Sequence, residues 1–182
     1  VSRGEDADSV IARYREEVLM PAEHSPRFLW QWDKLAFTVK RLAGSLTEEL
    51  KITEFEPIGY ELRIDEPIRG VIDRVDGYRR DGELYLRVID YKTGSKKFSL
   101  SEAYNGLGLQ MLLYLFALED KYPNSRPAGM LYWPASERLV SVKRGADELE
   151  IAQALLNDNA RSGLLLNDNE LLHAMEPDTV TK

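Results

Sequence analysis

The sequence predicts a mixed β-sheet flanked by helices, in the α/β or α+β class, on three observations. Apolar residues recur at three- and four-residue intervals through the first fifty positions and again over 101–120, which is the period of a helix with one buried face. From residue 52 the period falls to two, the signature of strands. Asp81-Gly82 separates two β-rich runs, and a two-residue hairpin turn needs positive φ at both central positions, which this pair tolerates.

Taken in order, Asp8 or Ser9 is placed to cap a first helix carrying Val10, Ile11, Tyr14 and Val18, with Pro21 ending it. Ser25-Pro26 opens a second helix whose Phe28, Leu29, Trp32, Leu35, Ala36, Val39, Leu42 and Leu46 form an apolar stripe, read as packing rather than a cofactor box. Strands follow at 53–63, 68–79 and 83–92, then a helix over 101–120. Strands near 127–133 and 137–143, joined by a turn at Pro134 to Ser136, precede helices near 147–160 and 168–175. Helices, an antiparallel meander, a helix, further strand and terminal helices fit one domain over 1–182: a helical lead-in to residue 50, a sheet-plus-helix core over 51–145, and C-terminal helices from 146.

Composition narrows the chemistry. Without cysteine, these residues hold no disulfide, thiol nucleophile or Cys-ligated zinc or iron–sulfur site, so any metal must be held by oxygen or by the two histidines. No stretch has the length and apolarity of a membrane span, and VSRGEDADSV lacks the layout of a secretory signal; the expectation is a soluble, cytoplasmic protein. KTGSKK does not supply the GxxxxGK[ST] spacing, which argues against ATP hydrolysis. A net charge of -7 speaks against a phosphate-binding surface. Its distribution qualifies that: residues 63–97 carry nine Lys/Arg against seven Asp/Glu, whereas 145–182 carry two against eight.

The informative segment is GVIDRVDGYRRDGELYLRVIDYKTG. Counting outward from Asp81-Gly82, Arg80 faces Glu83, Val75 faces Val88 and Asp73 faces Asp90. Alternate residues share a face, so Val71, Asp73 and Val75 join Leu86, Val88, Asp90 and Lys92 on a largely apolar surface. Two carboxylates opposed there repel each other and resist desolvation, which a hard divalent cation such as Mg²⁺ relieves. Such a cation acidifies water and polarises a phosphoryl oxygen, and the Lys92 ammonium adds positive charge where the transition state gathers negative charge. The competing reading is a structural ion-pair set of Asp73 and Asp90 with Arg74 and Lys92.

These motifs resemble the PD-(D/E)XK nuclease superfamily: Asp73, then Asp90-Tyr91-Lys92. GxIDRxD, DYK[ST]G and QxxxY, the last supplying Gln110 and Tyr114, look like its RecB-type branch. FEPIGYEL, PAGMLYWP and GLLLNDNELLHAM extend the likeness toward AddB-type nuclease domains over about residues 55–175. The resemblance implies a restriction-endonuclease-like sheet, with Mg²⁺ (or Mn²⁺) on Asp73, Asp90 and the Tyr91 carbonyl. It also implies cleavage of single-stranded DNA beside an AddA-type helicase partner, in double-strand break resection and recombinational repair. Gln110 and Tyr114 would line the site and touch Lys92 or DNA. Such proteins carry four cysteines for a flanking iron–sulfur cluster, which this chain lacks, and the upstream histidine of RecB-type sites has no clear counterpart. Glu61 is a candidate for the family's early acidic ligand, in competition with Glu54, Glu56 and a solvated strand face. Arg74, Lys96 and Lys97 are candidate DNA contacts, and His24 reads as a surface histidine. Open alternatives are a non-catalytic module that binds DNA or anchors a helicase, and a stand-alone RecB-like exonuclease.

Overall fold

A computed structural model describes residues 6–20, 24–66, 68–94, 97–135, 142–151, 154 and 160–177. It divides into two compact units, Val1–Lys51 and Ile52–Lys182. In the first, helix α1 (Ala7–Tyr14) continues directly into a π-helical turn, Arg15–Leu19. Its N-cap is Asp6 rather than Asp8 or Ser9, and Asp8 pairs with Lys40 instead. Helix α2 (Pro26–Ile52) starts as expected: the Ser25 hydroxyl accepts from the Phe28 N–H at 3.3 Å, and Pro26 fills the first helical position, where no N–H is needed. The apolar stripe of α2 is only partly packed. Tyr14 stacks on Trp32 with ring centroids 5.4 Å apart, but Phe28, Leu29, Leu35 and Val39 are exposed, because an eight-residue α1 is too short to cover a 27-residue helix.

The second unit is built on a five-stranded mixed sheet in the order β1 (Glu56–Ile64), β2 (Gly70–Arg80), β3 (Glu83–Lys92), β4 (Ser125–Pro134), β5 (Ser162–Leu165). The β3–β4 pair is parallel and the other three are antiparallel. Parallel pairing requires a crossover, and the chain between β3 and β4 supplies it as helices α3 (Leu100–Tyr104) and α4 (Gln110–Lys121). The single helix expected over 101–120 is therefore two. Gly106 and Gly108 both take positive φ, at 80° and 68°, a conformation that breaks the helical ladder.

The hairpin turn has φ of 52° at Asp81 and 83° at Gly82, and the ladder runs from Arg80 opposite Glu83 to Arg74 opposite Ile89. One face of the sheet packs Val75, Leu86, Val88, Met130 and Tyr132 under Met111, Tyr114, Leu115 and Leu118 of α4. The other face packs Tyr85 and Ala128 against Phe55 and the last helix, α5 (Asn169–Met175). The short β5 strand lies where the sequence suggests no strand. Of the expected strand 137–143, residues 136–141 lie outside the described residues. Of the helix expected over 147–160, residues 148–151 are helical behind a reciprocal Asp147–Glu150 capping box, and 152–153 and 155–159 lie outside the described residues. Among the described residues, no helix is long and apolar enough to cross a membrane.

Helix α5 is tied to the hairpin by charge. Asp168 caps it, accepting from the N–H groups of Glu170 and Leu171, and takes both terminal nitrogens of Arg80 at 3.0 and 2.8 Å. The Arg80 hydrogen bonds, helped by the Leu171 N–H, hold the Asp168 carboxyl at about 2, below its usual 3.8. The unfolded chain therefore takes up this proton first. The contribution of Asp168 is complete above about pH 5 and disappears as pH falls through about 4 toward 2. Thermal melts over that window should show a fall in Tm that Arg80→Ala reduces; a fall of equal steepness in the variant would exclude this linkage.

Candidate active site

The β2–β3 ladder stops at Arg74 opposite Ile89, and the next residue on each strand is an aspartate. Beyond that point the strands are joined by a side chain: the Tyr91 N–H donates to Asp73 Oδ2 at 2.7 Å. Asp90 forms an ion pair with Lys92, Nζ to Oδ2 2.5 Å, on the same strand and face. Asp73, Asp90, Tyr91 and Lys92 thus form one contact set at the C-terminal end of β3, beside the N-terminal end of α4. Their side of the sheet is the α4 side, so the carboxylates sit at the edge of the apolar layer formed by Val75, Leu86 and Val88. The Lys92 and Asp90 side chains are 31% and 17% exposed, sheltered yet reachable from solvent.

The opposed charges are compensated one by one, Asp73 by a backbone N–H and Asp90 by the Lys92 ammonium. One net negative charge remains. The Lys92 ammonium also lies 5.5 Å from the Tyr132 ring centroid, on the neighbouring strand. Burial pushes the Tyr132 hydroxyl up; Lys92 opposes this, while Asp90 and Glu102 reinforce it, so the phenol stays neutral. The donor set suits a hard cation: oxygen throughout, with two carboxylates and a main-chain carbonyl, which matches the preference of Mg²⁺ for one or two carboxylates with water completing its shell. Among the described residues, no three His, Cys, Asp or Glu side chains converge as a metal-holding group.

The sequence profile of the PD-(D/E)XK nuclease superfamily matches residues 2–176. The chain belongs to that superfamily. It is similar to an ATP-dependent helicase/deoxyribonuclease subunit of Clostridium perfringens, 34% identical over 174 residues, which cover 84% of this chain and 15% of that one. The same-named subunit of Oceanobacillus iheyensis is 32% identical over 180 residues, covering 86% of this chain and 15% of its own. The chain thus spans about 15% of the length of these relatives. A repair endonuclease from Pyrococcus abyssi shares 23% identity at a TM-score of 0.32, over 52% of this chain and 36% of that one, a likeness too slight to argue from.

Around the PD-(D/E)XK motif, the remaining candidates fall in different places. Gln110 and Tyr114 bond each other, Nε2 to Oη 2.6 Å, and not Lys92, which is taken by Asp90. Tyr114 is buried, and its hydroxyl occupies the space that a Cβ on Gly70 would need. The glycine and the tyrosine of the two motifs therefore account for each other: only a residue without a side chain lets α4 close onto the start of β2. The QxxxY spacing singles out the tyrosine, but nothing local in the sequence marks the glycine as its partner.

Glu61 lies across β1 from the Asp73 position, between the pairs Tyr60–Arg74 and Leu62–Ile72, with φ of 48°. Its side chain is exposed and joins no metal-holding group among the described residues. Lys97 is exposed, and Lys96 lies outside the described residues. His24 bonds the Leu19 carbonyl at 2.9 Å and stacks on Phe28 at 4.4 Å, a local contact within the helical unit.

Arg74 corrects an expectation. Expected as a DNA contact, it is fully buried on the face opposite Asp73, where no phosphate reaches it. It joins Asp76 and Arg87 in a buried charge cluster. Asp76 Oδ2 accepts from Arg74 Nη2 at 2.8 Å and from Arg87 Nε and Nη2 at 3.1 and 2.7 Å. Reading a charged strand face as solvated conceals such a cluster. The one available signal is that Asp76 and Arg87 face each other in the register set by the turn.

Proposed function

We propose that this chain is the nuclease domain of a larger helicase–nuclease, hydrolysing phosphodiester bonds of single-stranded DNA with Mg²⁺, Mn²⁺ being able to substitute. Asp73, Asp90 and the Tyr91 carbonyl would hold the cation, and Lys92 would stabilise charge on the phosphate. The observation that carries this reading is the meeting of Asp73, Tyr91 and the Asp90–Lys92 pair where the β2–β3 ladder ends. When bound, the cation supplies an acidified water and a polarised phosphoryl oxygen. The chain's own residues do the rest: the two carboxylates fix the position of positive charge, and the ammonium adds a second positive group on the same face. The names of the relatives support an AddA-type helicase as partner and double-strand break resection as the setting.

The Asp90–Lys92 pair also suits a second reading, an inert copy of the fold retained for DNA binding or helicase anchoring, in which that pair is only structural. Calorimetric titration with Mn²⁺ separates the two. The catalytic reading expects saturable binding that Asp90→Ala abolishes while circular dichroism stays unchanged. Binding unaffected by Asp90→Ala would remove the proposed metal site.

A further inference from the structure

We propose that Arg74 and Tyr91 are positioning residues, holding the Asp90-Tyr91-Lys92 segment from the side of the sheet that DNA does not reach; this rests on the nuclease reading above. Side chains alternate along a strand, so Tyr91 points away from Asp90 and Lys92 while its peptide stays in the plane between them. That peptide carries two functions: its N–H donates to Asp73 at 2.7 Å, and its carbonyl is the proposed third metal ligand. Whatever fixes the Tyr91 side chain therefore fixes the spacing of the two aspartates.

The Tyr91 ring is held at both ends. Its hydroxyl accepts from Arg74 Nη1 at 3.0 Å, and its ring lies 5.6 Å from that of Trp133, the residue it faces on β4. The Arg74 guanidinium lies 5.3 Å from the same Trp133 ring, and Arg161 lies 4.0 Å from it. Arg74 is immobilised in turn, with its Nη2 on Asp76 Oδ2, its Nε 2.8 Å from Oδ1, and Arg87 holding the same carboxylate from β3. The chain of contacts runs Arg87, Asp76, Arg74, Tyr91, Asp73, crossing from the buried face to the site through a single peptide. Buried ion clusters are poor sources of stability compared with apolar packing. One retained directly behind a catalytic motif is better explained by the geometry it imposes. A planar five-donor guanidinium can hold a carboxylate and a phenol together, which an ammonium on a flexible stem cannot.

Tyr91→Phe tests this, because it removes one hydroxyl and leaves ring, burial and fold in place. Mn²⁺ affinity measured by calorimetry should fall about 10-fold, the lower end for loss of a group behind a metal ligand. The Mg²⁺ concentration for half-maximal cleavage should rise to match, while Tm and single-stranded DNA affinity in EDTA stay at wild-type values. Arg74→Lys, which keeps charge against Asp76 but loses the fork, should shift Mn²⁺ affinity in the same direction. If Tyr91→Phe binds Mn²⁺ as wild type does while Asp90→Ala does not bind it, the positioning role is wrong and the metal site stands. If Asp90→Ala also binds normally, the site itself is wrong and this proposal falls with it.

Discussion

Replacing Asp76 with alanine is expected to cost about 3–5 kcal/mol, enough to unfold the sheet unit near physiological temperature. The carboxylate is fully buried and accepts three hydrogen bonds from two guanidiniums that are themselves 0–1% exposed. Alanine removes the anion but leaves both cations in a site without water, and an arginine cannot escape the penalty by losing its proton. The loss should appear in urea unfolding followed by tryptophan fluorescence, since Trp133 sits against Arg74. Asp76→Asn should recover part of the stability by keeping an acceptor oxygen. A loss below about 1 kcal/mol for Asp76→Ala would mean that the cluster relaxes into solvent, contrary to its burial.

The second large effect falls on chemistry. Lys92→Ala should slow cleavage of single-stranded DNA at least about 100-fold, the usual scale for losing one aligned charge at the reacting group. Stability should change little, because the pair it breaks is partly exposed. The informative companion measurement is metal affinity. Lys92 occupies Asp90 Oδ2 at 2.5 Å, so its removal frees the carboxylate, and Mn²⁺ should bind at least as tightly as to the wild type. Cleavage within threefold of wild type would end the assignment of Lys92. A loss of Mn²⁺ binding would instead indicate that the lysine holds the site together rather than serving the reaction.

What could be read from the sequence was set by local rules. Asp81-Gly82 fixes a turn, the turn fixes the register, and the register places Asp73, Asp90 and Lys92 on one face without knowledge of anything distant. Ser25-Pro26 and Asp168 mark helix starts for the same reason. What could not be read depended on partners far along the chain. Arg74, Asp76 and Arg87 alternate with apolar residues just as a wet strand face would, and only the covering by Phe55, α5 and Trp133 makes them interior. The break between α3 and α4 turns on two glycines adopting positive φ within an apolar run that otherwise reads as continuous helix. The β5 strand is only four residues long, and its pairing with Gly129–Tyr132 is what makes it a strand. The exposed part of the α2 stripe shows the converse limit: periodicity identifies a face suited to burial, not whether anything is present to bury it.

The parity of β3 has a consequence for how such a site can change over evolutionary time. Because Asp90 and Lys92 face α4 while Tyr91 and Arg87 face the interior cluster, gaining or losing one residue between Gly82 and Asp90 would exchange the two sets. The acid and the ammonium would be driven into a compartment already filled by guanidiniums, and an arginine would emerge among the ligands. Insertions in that stretch are thus barred twice over, once by folding and once by reactivity, whereas the turn itself, at the other end of the ladder, is free to vary in length.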